Sequence, residues 1–165
     1  MYNWSAKREK KAFLALANGE IFRGYSVGAK RDSLGEAVFN TGMSGYQEII
    51  TDPSYSGQFV TMTAPEIGNY GVNGEDMEAR SLFLSGLVMH ELNVASNFRS
   101  NGSLQQILLD NGIPAIAGID TRRLTLTLRS AGTQKAYLHC SGDEISFEDA
   151  VKKANAWEGL DGQDY

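Results

Sequence analysis

The chain has 165 residues, 42% of them hydrophobic and 21% charged, with a formal net charge of -5. A chain of this length buries roughly 70% of its unfolded surface around one core, so it needs no disulfide or metal staple. The acidic balance sets nucleic acid aside as a partner, and a single cysteine, Cys140, excludes an internal disulfide.

The amino terminus places Lys7-Arg8-Glu9-Lys10-Lys11 before the apolar run Ala12–Ala17, as a signal peptide would. That run ends after six residues at Asn18-Gly19, short of the roughly 7–15 that a secretory core needs. No stretch approaches the ~20 apolar residues of a membrane span, so no membrane association is expected and a cytoplasmic location is the default.

Ala12–Ala17 and Glu20–Val27 flank Asn18-Gly19, which predicts a hairpin closed by a type I′ turn. Glu36–Thr41 and Gln58–Thr63 read as strands, the second through its alternation of Phe59, Thr61 and Thr63 against Val60 and Met62. Leu82–Leu92 predicts another strand, with Gly86 marking a bulge.

Helices enter in the second half. Ser103 is placed to cap Leu104–Asp110, Gly112 closes that helix, and Ile113–Ile119 follows as a buried strand. Asp120 caps a helix over Thr121–Ser130, in which Leu124 and Leu128 form an i,i+4 pair and Gly132 is the stop. Gln134–Cys140 reads as a strand, and Ser146 with Asp149 resembles a capping box before a helix over Phe147–Trp157. Strands early and helices alternating with strands later predict a mixed α/β domain.

Four constellations could carry chemistry. In Leu138-His139-Cys140-Ser141-Gly142 a thiol sits beside an imidazole, but neighbours on a strand point to opposite faces, and Leu138 stands where a nucleophile elbow needs a small residue. Cys140 therefore reads as structural. His90 and His139 lie far apart in sequence with no zinc-type spacing, so no metal site is expected; His90 reads as a strand-end histidine with a local hydrogen bond. The loop Gly68–Asp76 has Asn73 and Gly74 placed for calcium, but Arg80 where the bidentate Glu belongs, and it runs into Glu75-Asp76-Met77-Glu78, which would repel a phosphate. In Asp52-Pro53-Ser54-Tyr55, Pro53 suits the second position of a type I turn and Ser54 falls near its tip. Composition alone gives Ser54 a local backbone bond within the turn.

Gly35–Gly57 joins an extended apolar segment, the bend Gly42-Met43-Ser44-Gly45 and the turn Asp52-Pro53-Ser54-Tyr55. With Thr63–Gly71, Ser96-Asn97-Phe98-Arg99, Ile113–Arg122 and Ala156–Gly162, it closely resembles the amino-terminal domain of the small subunit of glutamine-hydrolysing carbamoyl-phosphate synthase. The resemblance runs from about Ala12 to the end. It implies a swivelling β/β/α domain with a mixed sheet and about three helices, over residues 12–157. Residues 1–11 then form a polar extension, and 158–165 begin a linker toward an amidotransferase domain.

Functionally, the resemblance implies docking on the large synthetase subunit, where ATP and Mg act, and a part in making carbamoyl phosphate from glutamine and bicarbonate for pyrimidine and arginine synthesis. The family's Cys-His-Glu triad belongs to the amidotransferase domain, so no catalytic, cofactor-binding or metal residue is expected in this chain, and the chain alone should not hydrolyse glutamine. The serine of the family's Asp-Pro-Ser-Tyr motif reaches the bound glutamine, which gives Ser54 that role when the amidotransferase domain is present. Leu126, where the family often has a basic residue, and Glu66 depart from the pattern and bear on contacts with the large subunit. A stand-alone protein-interaction module without enzymatic role is the competing expectation.

Overall fold

The computed structural model describes residues 11–40, 53–62, 84–90 and 104–159. Within them, seven strands close into a barrel: β1 (Lys11–Leu16), β2 (Ile21–Ser26), β3 (Ser33–Asn40), β4 (Gln58–Met62), β5 (Gly86–Val88), β6 (Ala115–Ala117) and β7 (Gln134–His139). Around the barrel the order is β1-β2-β6-β5-β4-β3-β7. The β3/β4, β4/β5 and β5/β6 pairs are parallel, while β1/β2, β1/β7, β2/β6 and β3/β7 are antiparallel. Three helices accompany the described strands: α1 (Leu104–Asp110), α2 (Thr121–Ala131) and α3 (Phe147–Ala156). The mixed α/β class and the mixed sheet are as the sequence predicts.

Alternation explains how β1 is apolar on both faces. Ala12, Leu14 and Leu16 point into the barrel with Phe22, Phe59, Val88, Ile116 and Leu138, so each strand's inward residues form one core. Leu124 and Leu128 of α2 join that same core, which is why their i,i+4 pair was visible as an apolar stripe. On the outside, Phe13 and Ala15 of β1 and Tyr137 of β7 meet Ala150 and Ala154 of α3. A third cluster sets Val60, Met62, Leu87 and Ala115 against Leu108 of α1. Each fully buried Leu or Phe contributes roughly 1.5–3 kcal/mol to this arrangement.

The caps are those the sequence signals. Asp120 accepts from the Arg123 amide at 3.0 Å, and Ser146 Oγ accepts from the Asp149 amide at 3.0 Å. At the end of α1 the Gly112 amide donates to Leu109 O and the Ile113 amide to Leu108 O. With Gly112 at φ +68°, this is a Schellman motif, and its hydrophobic contact is the shared burial of Ile113 and Leu108. Ser103 lies outside the described residues.

Several local expectations are corrected. The hairpin loop has three residues, not two: the Gly19 amide donates to Leu16 O, and the Leu16 amide to Glu20 O. The turn's central pair is therefore Ala17-Asn18, and Gly19 at φ +98° follows as the left-handed residue, so the type I′ expectation gives way to a longer loop. Gly86 opens β5 in regular register rather than forming a bulge; a Cβ there would lie 2.8 Å from Phe59 and 3.0 Å from Leu138. The expected strand Ile113–Ile119 is reduced to Ala115–Ala117, because Pro114 has no amide to donate and Gly118 turns the chain at φ +82°. Finally, α3 ends at Ala156, with Trp157 in extended backbone as its cap.

Candidate functional site

Ser54 sits on the 3-10 turn Pro53–Tyr55 that leads into β4, and it is exposed. The Ser56 amide and the Ser56 hydroxyl both donate to Pro53 O, at 3.1 and 2.7 Å, which fixes the turn. Tyr55 packs against the outer core cluster beside β4, and Gly57 O accepts from the Glu36 amide of β3. The turn carrying Ser54 is thus tied to two strands of the barrel. Ser56, which makes these local bonds, is a residue that the sequence did not single out. Asp52, the bend Gly42–Gly45 and the loop Gly68–Asp76 lie outside the described residues.

A second constellation was not legible in the sequence. Asp32, in the loop before β3, receives four donors from the end of β7. Its Oδ1 accepts from the Cys140 and Ser141 amides, each at 2.9 Å. Its Oδ2 accepts from the Tyr137 hydroxyl and lies 3.0 Å from His139 Nδ1. Burial acts to raise the Asp32 carboxyl, but the bonds from Tyr137, His139, Ser141 and Cys140 outweigh it and bring it down to about 2. Tyr137 moves the opposite way, its phenol held well above the ordinary range by burial first and then by the bond and charge of Asp32.

His139 and Cys140 diverge as adjacent strand residues should. The His139 ring stacks beside Phe13 at 5.0 Å on the outer face, while Cys140 is buried in the barrel core with Sγ 3.7 Å from Ala115 O. Burial pushes the Cys140 thiol up to about 12, a state opposite to that of an activated nucleophile. Asp32, rather than Cys140, is the partner of the imidazole.

His90 follows the end of β5 and its Nδ1 lies 3.2 Å from Ile119 O, a hydrogen bond across the barrel end rather than a local one. The two histidines, distant in sequence, both line one pocket of about 1220 Å³. Among the described residues no group of three His, Cys, Asp or Glu side chains is arranged to hold a metal. Among the same residues no helix is long and apolar enough to cross a membrane.

Residues 14–138 match the family model described as carbamoyl-phosphate synthase small chain, CPSase domain. This chain belongs to that family. Across 156 residues it is 51% identical to the carbamoyl phosphate synthase small chain of Pseudomonas putida and 51% identical to that of Pseudomonas aeruginosa. The small chain of Vibrio cholerae is 50% identical over the same length. In each comparison 94% of this chain aligns with 41% of the relative, so the chain spans about two fifths of the length of the curated relatives it matches. The family match begins within β1 and ends within β7, so it encloses the turn carrying Ser54, the whole of β2 to β6 and part of β1 and β7.

Proposed function

We propose that this chain acts as the docking and substrate-completing domain of a glutamine-hydrolysing carbamoyl-phosphate synthase, a ligase. The observation behind this reading is identity of about one half, sustained over 94% of the chain, to carbamoyl phosphate synthase small chains. In the proposed assembly, residues 12–157 form the domain, residues 1–11 extend it, and 158–165 lead toward a glutamine amidotransferase domain. That domain holds the Cys-His-Glu triad. The large synthetase subunit uses ATP, Mg and bicarbonate with the released ammonia to make carbamoyl phosphate for pyrimidine and arginine synthesis, in the cytoplasm.

Ser54 is the residue through which this chain touches glutamine. Its support is the exposed position on a turn braced by Ser56 and by two strands, which holds the residue at a fixed place on the surface. Pre-positioning of this kind lowers the ordering cost of binding. The chain's one thiol is unsuited to act as a nucleophile, since it is buried and burial pushes it up to about 12. Hydrolysis of glutamine by this chain alone is therefore not expected.

Size-exclusion chromatography of the 165-residue chain mixed with a large synthetase subunit tests the docking role. Co-elution in a defined stoichiometry is expected. Separate elution at about 50 μM of each, a concentration well above that at which standard-sized interfaces hold, would overturn it.

A further inference from the structure

We propose that the outer face of β1, β2 and β7 binds a small organic anion, a phosphate or carboxylate joined to a flat apolar group. This goes beyond the docking role and does not depend on it. The site follows from strand register. Phe13 pairs with Arg23 on β2 and with His139 on β7, and His139 meets Asp32, so one outward row reads Arg23, Phe13, His139, Asp32. On the next rung Lys11 pairs with Tyr25. Phe147, the first residue of α3, stands over the row, edge-on to Phe13 at 4.8 Å and 4.8 Å beneath the Arg23 guanidinium.

Lys11, Phe13, Arg23, Tyr25, His139 and Phe147 line the pocket of about 1220 Å³, together with Lys30 and His90. Among the described residues the lining carries three side-chain cations, Lys11, Arg23 and Lys30, and two imidazoles, yet no carboxylate, in a chain whose net charge is -5. None of the three cations forms an ion pair among the described residues. The acids of the neighbouring segment, Asp143, Glu144, Glu148 and Asp149, lie outside the lining. Asp32 stands at the end of the row with its oxygens occupied by four donors.

His139 gives the pocket a fixed polar floor. The residue is 7% exposed, its Nδ1 is held by Asp32, and its Nε2 is the ring nitrogen left to face a ligand. The apolar half of the ligand is read from the walls. Of the three large hydrophobic side chains exposed among the described residues, two, Leu109 and Phe147, line this pocket. Cations beside an aromatic face, with an oriented imidazole below, suit an anionic head and a planar tail.

Calorimetric titration of the full chain, with side-chain nitrogen NMR of His139, tests the site using phenyl phosphate, benzoate, inorganic phosphate and phenol. Saturable binding of phenyl phosphate or benzoate is expected, tighter than that of inorganic phosphate or phenol, with the His139 Nε2 resonance moving in step. Comparing the two aromatic anions decides between a phosphate and a carboxylate head. Arg23→Gln and Lys30→Gln should each weaken binding about tenfold or more, whereas Lys152→Gln, exposed on α3 outside the lining, should change it less than about twofold. Should loss of the Arg23–Phe147 stack unfold the chain, Lys11→Gln, at an exposed strand end, replaces that variant. Absence of saturation, an unmoved His139 resonance, or equal weakening by Lys152→Gln would overturn the proposal.

Discussion

Asp32 and His139 are separated by 107 positions in the chain, yet Oδ2 of the first lies 3.0 Å from Nδ1 of the second. The same carboxylate takes the Cys140 and Ser141 amides and the Tyr137 hydroxyl, so one side chain holds the loop before β3 onto the end of β7. Leaving those donors without an acceptor is what makes the contact matter. Asp32→Ala should lower unfolding stability by about 2–4 kcal/mol, measured by urea denaturation. A change under about 0.5 kcal/mol would show that water replaces the carboxylate at no cost.

The same group sets an acid dependence. Its folded value, about 2, lies below its ordinary 3.8, so its contribution is fully present above about pH 4 and is lost as pH falls toward 2. Comparing the wild-type chain with Asp32→Asn by thermal melts across that window isolates the effect. The gap between the two should narrow as pH drops. A gap that stays constant from pH 6 to about pH 2 would contradict the assignment.

Cys140 should behave as an inert thiol. A rise from 9.0 to about 12, caused mainly by burial, reduces its thiolate fraction at pH 8 roughly a thousandfold. Alkylation of the folded chain by iodoacetamide should therefore be slower than that of a free thiol by at least this factor, and should recover in denaturant. Fast alkylation under native conditions would mean that the barrel core is open at β7.

Two barrel glycines should differ in what they tolerate. A Cβ on Gly24 would lie 2.2 Å from the Ala117 carbonyl, a backbone atom at the β2/β6 seam, whereas on Gly86 it would meet the side chains of Phe59 and Leu138. Side chains give way more cheaply than a strand. Gly24→Ala should cost about 3 kcal/mol or prevent folding, and Gly86→Ala about 1–2 kcal/mol. Equal costs in thermal unfolding would contradict the account of the seam.

Local signals carried much of the fold. The caps Asp120 and Ser146, the stop at Gly112 and the apolar pair Leu124 and Leu128 act within a turn or two of their own position, and each is where the sequence put it. Barrel closure was not legible, because it rests on pairing β3 with β7 and β2 with β6, and no periodicity within a strand names its partner. Asp32 was invisible for the same reason: its donors all come from the distant end of β7, and nothing around Arg31-Asp32-Ser33 marks an acceptor of four bonds. The hairpin at Asn18-Gly19 shows the limit of a dipeptide rule, since the turn was found but its central pair was shifted by one residue. Ser54 was legible only through family resemblance, because an exposed hydroxyl on a turn is ordinary in composition.

The central claim is that Ser54 completes a glutamine site in an assembled carbamoyl-phosphate synthase. Steady-state kinetics of carbamoyl phosphate formation by the complete enzyme carrying Ser54→Ala, with glutamine and with ammonia as alternative nitrogen donors, test it most directly. Loss of one hydrogen bond to a charged ligand predicts glutamine affinity weakened about 10–200-fold, with ammonia-dependent synthesis unchanged. Equal loss with both donors, or no loss with either, would contradict the account.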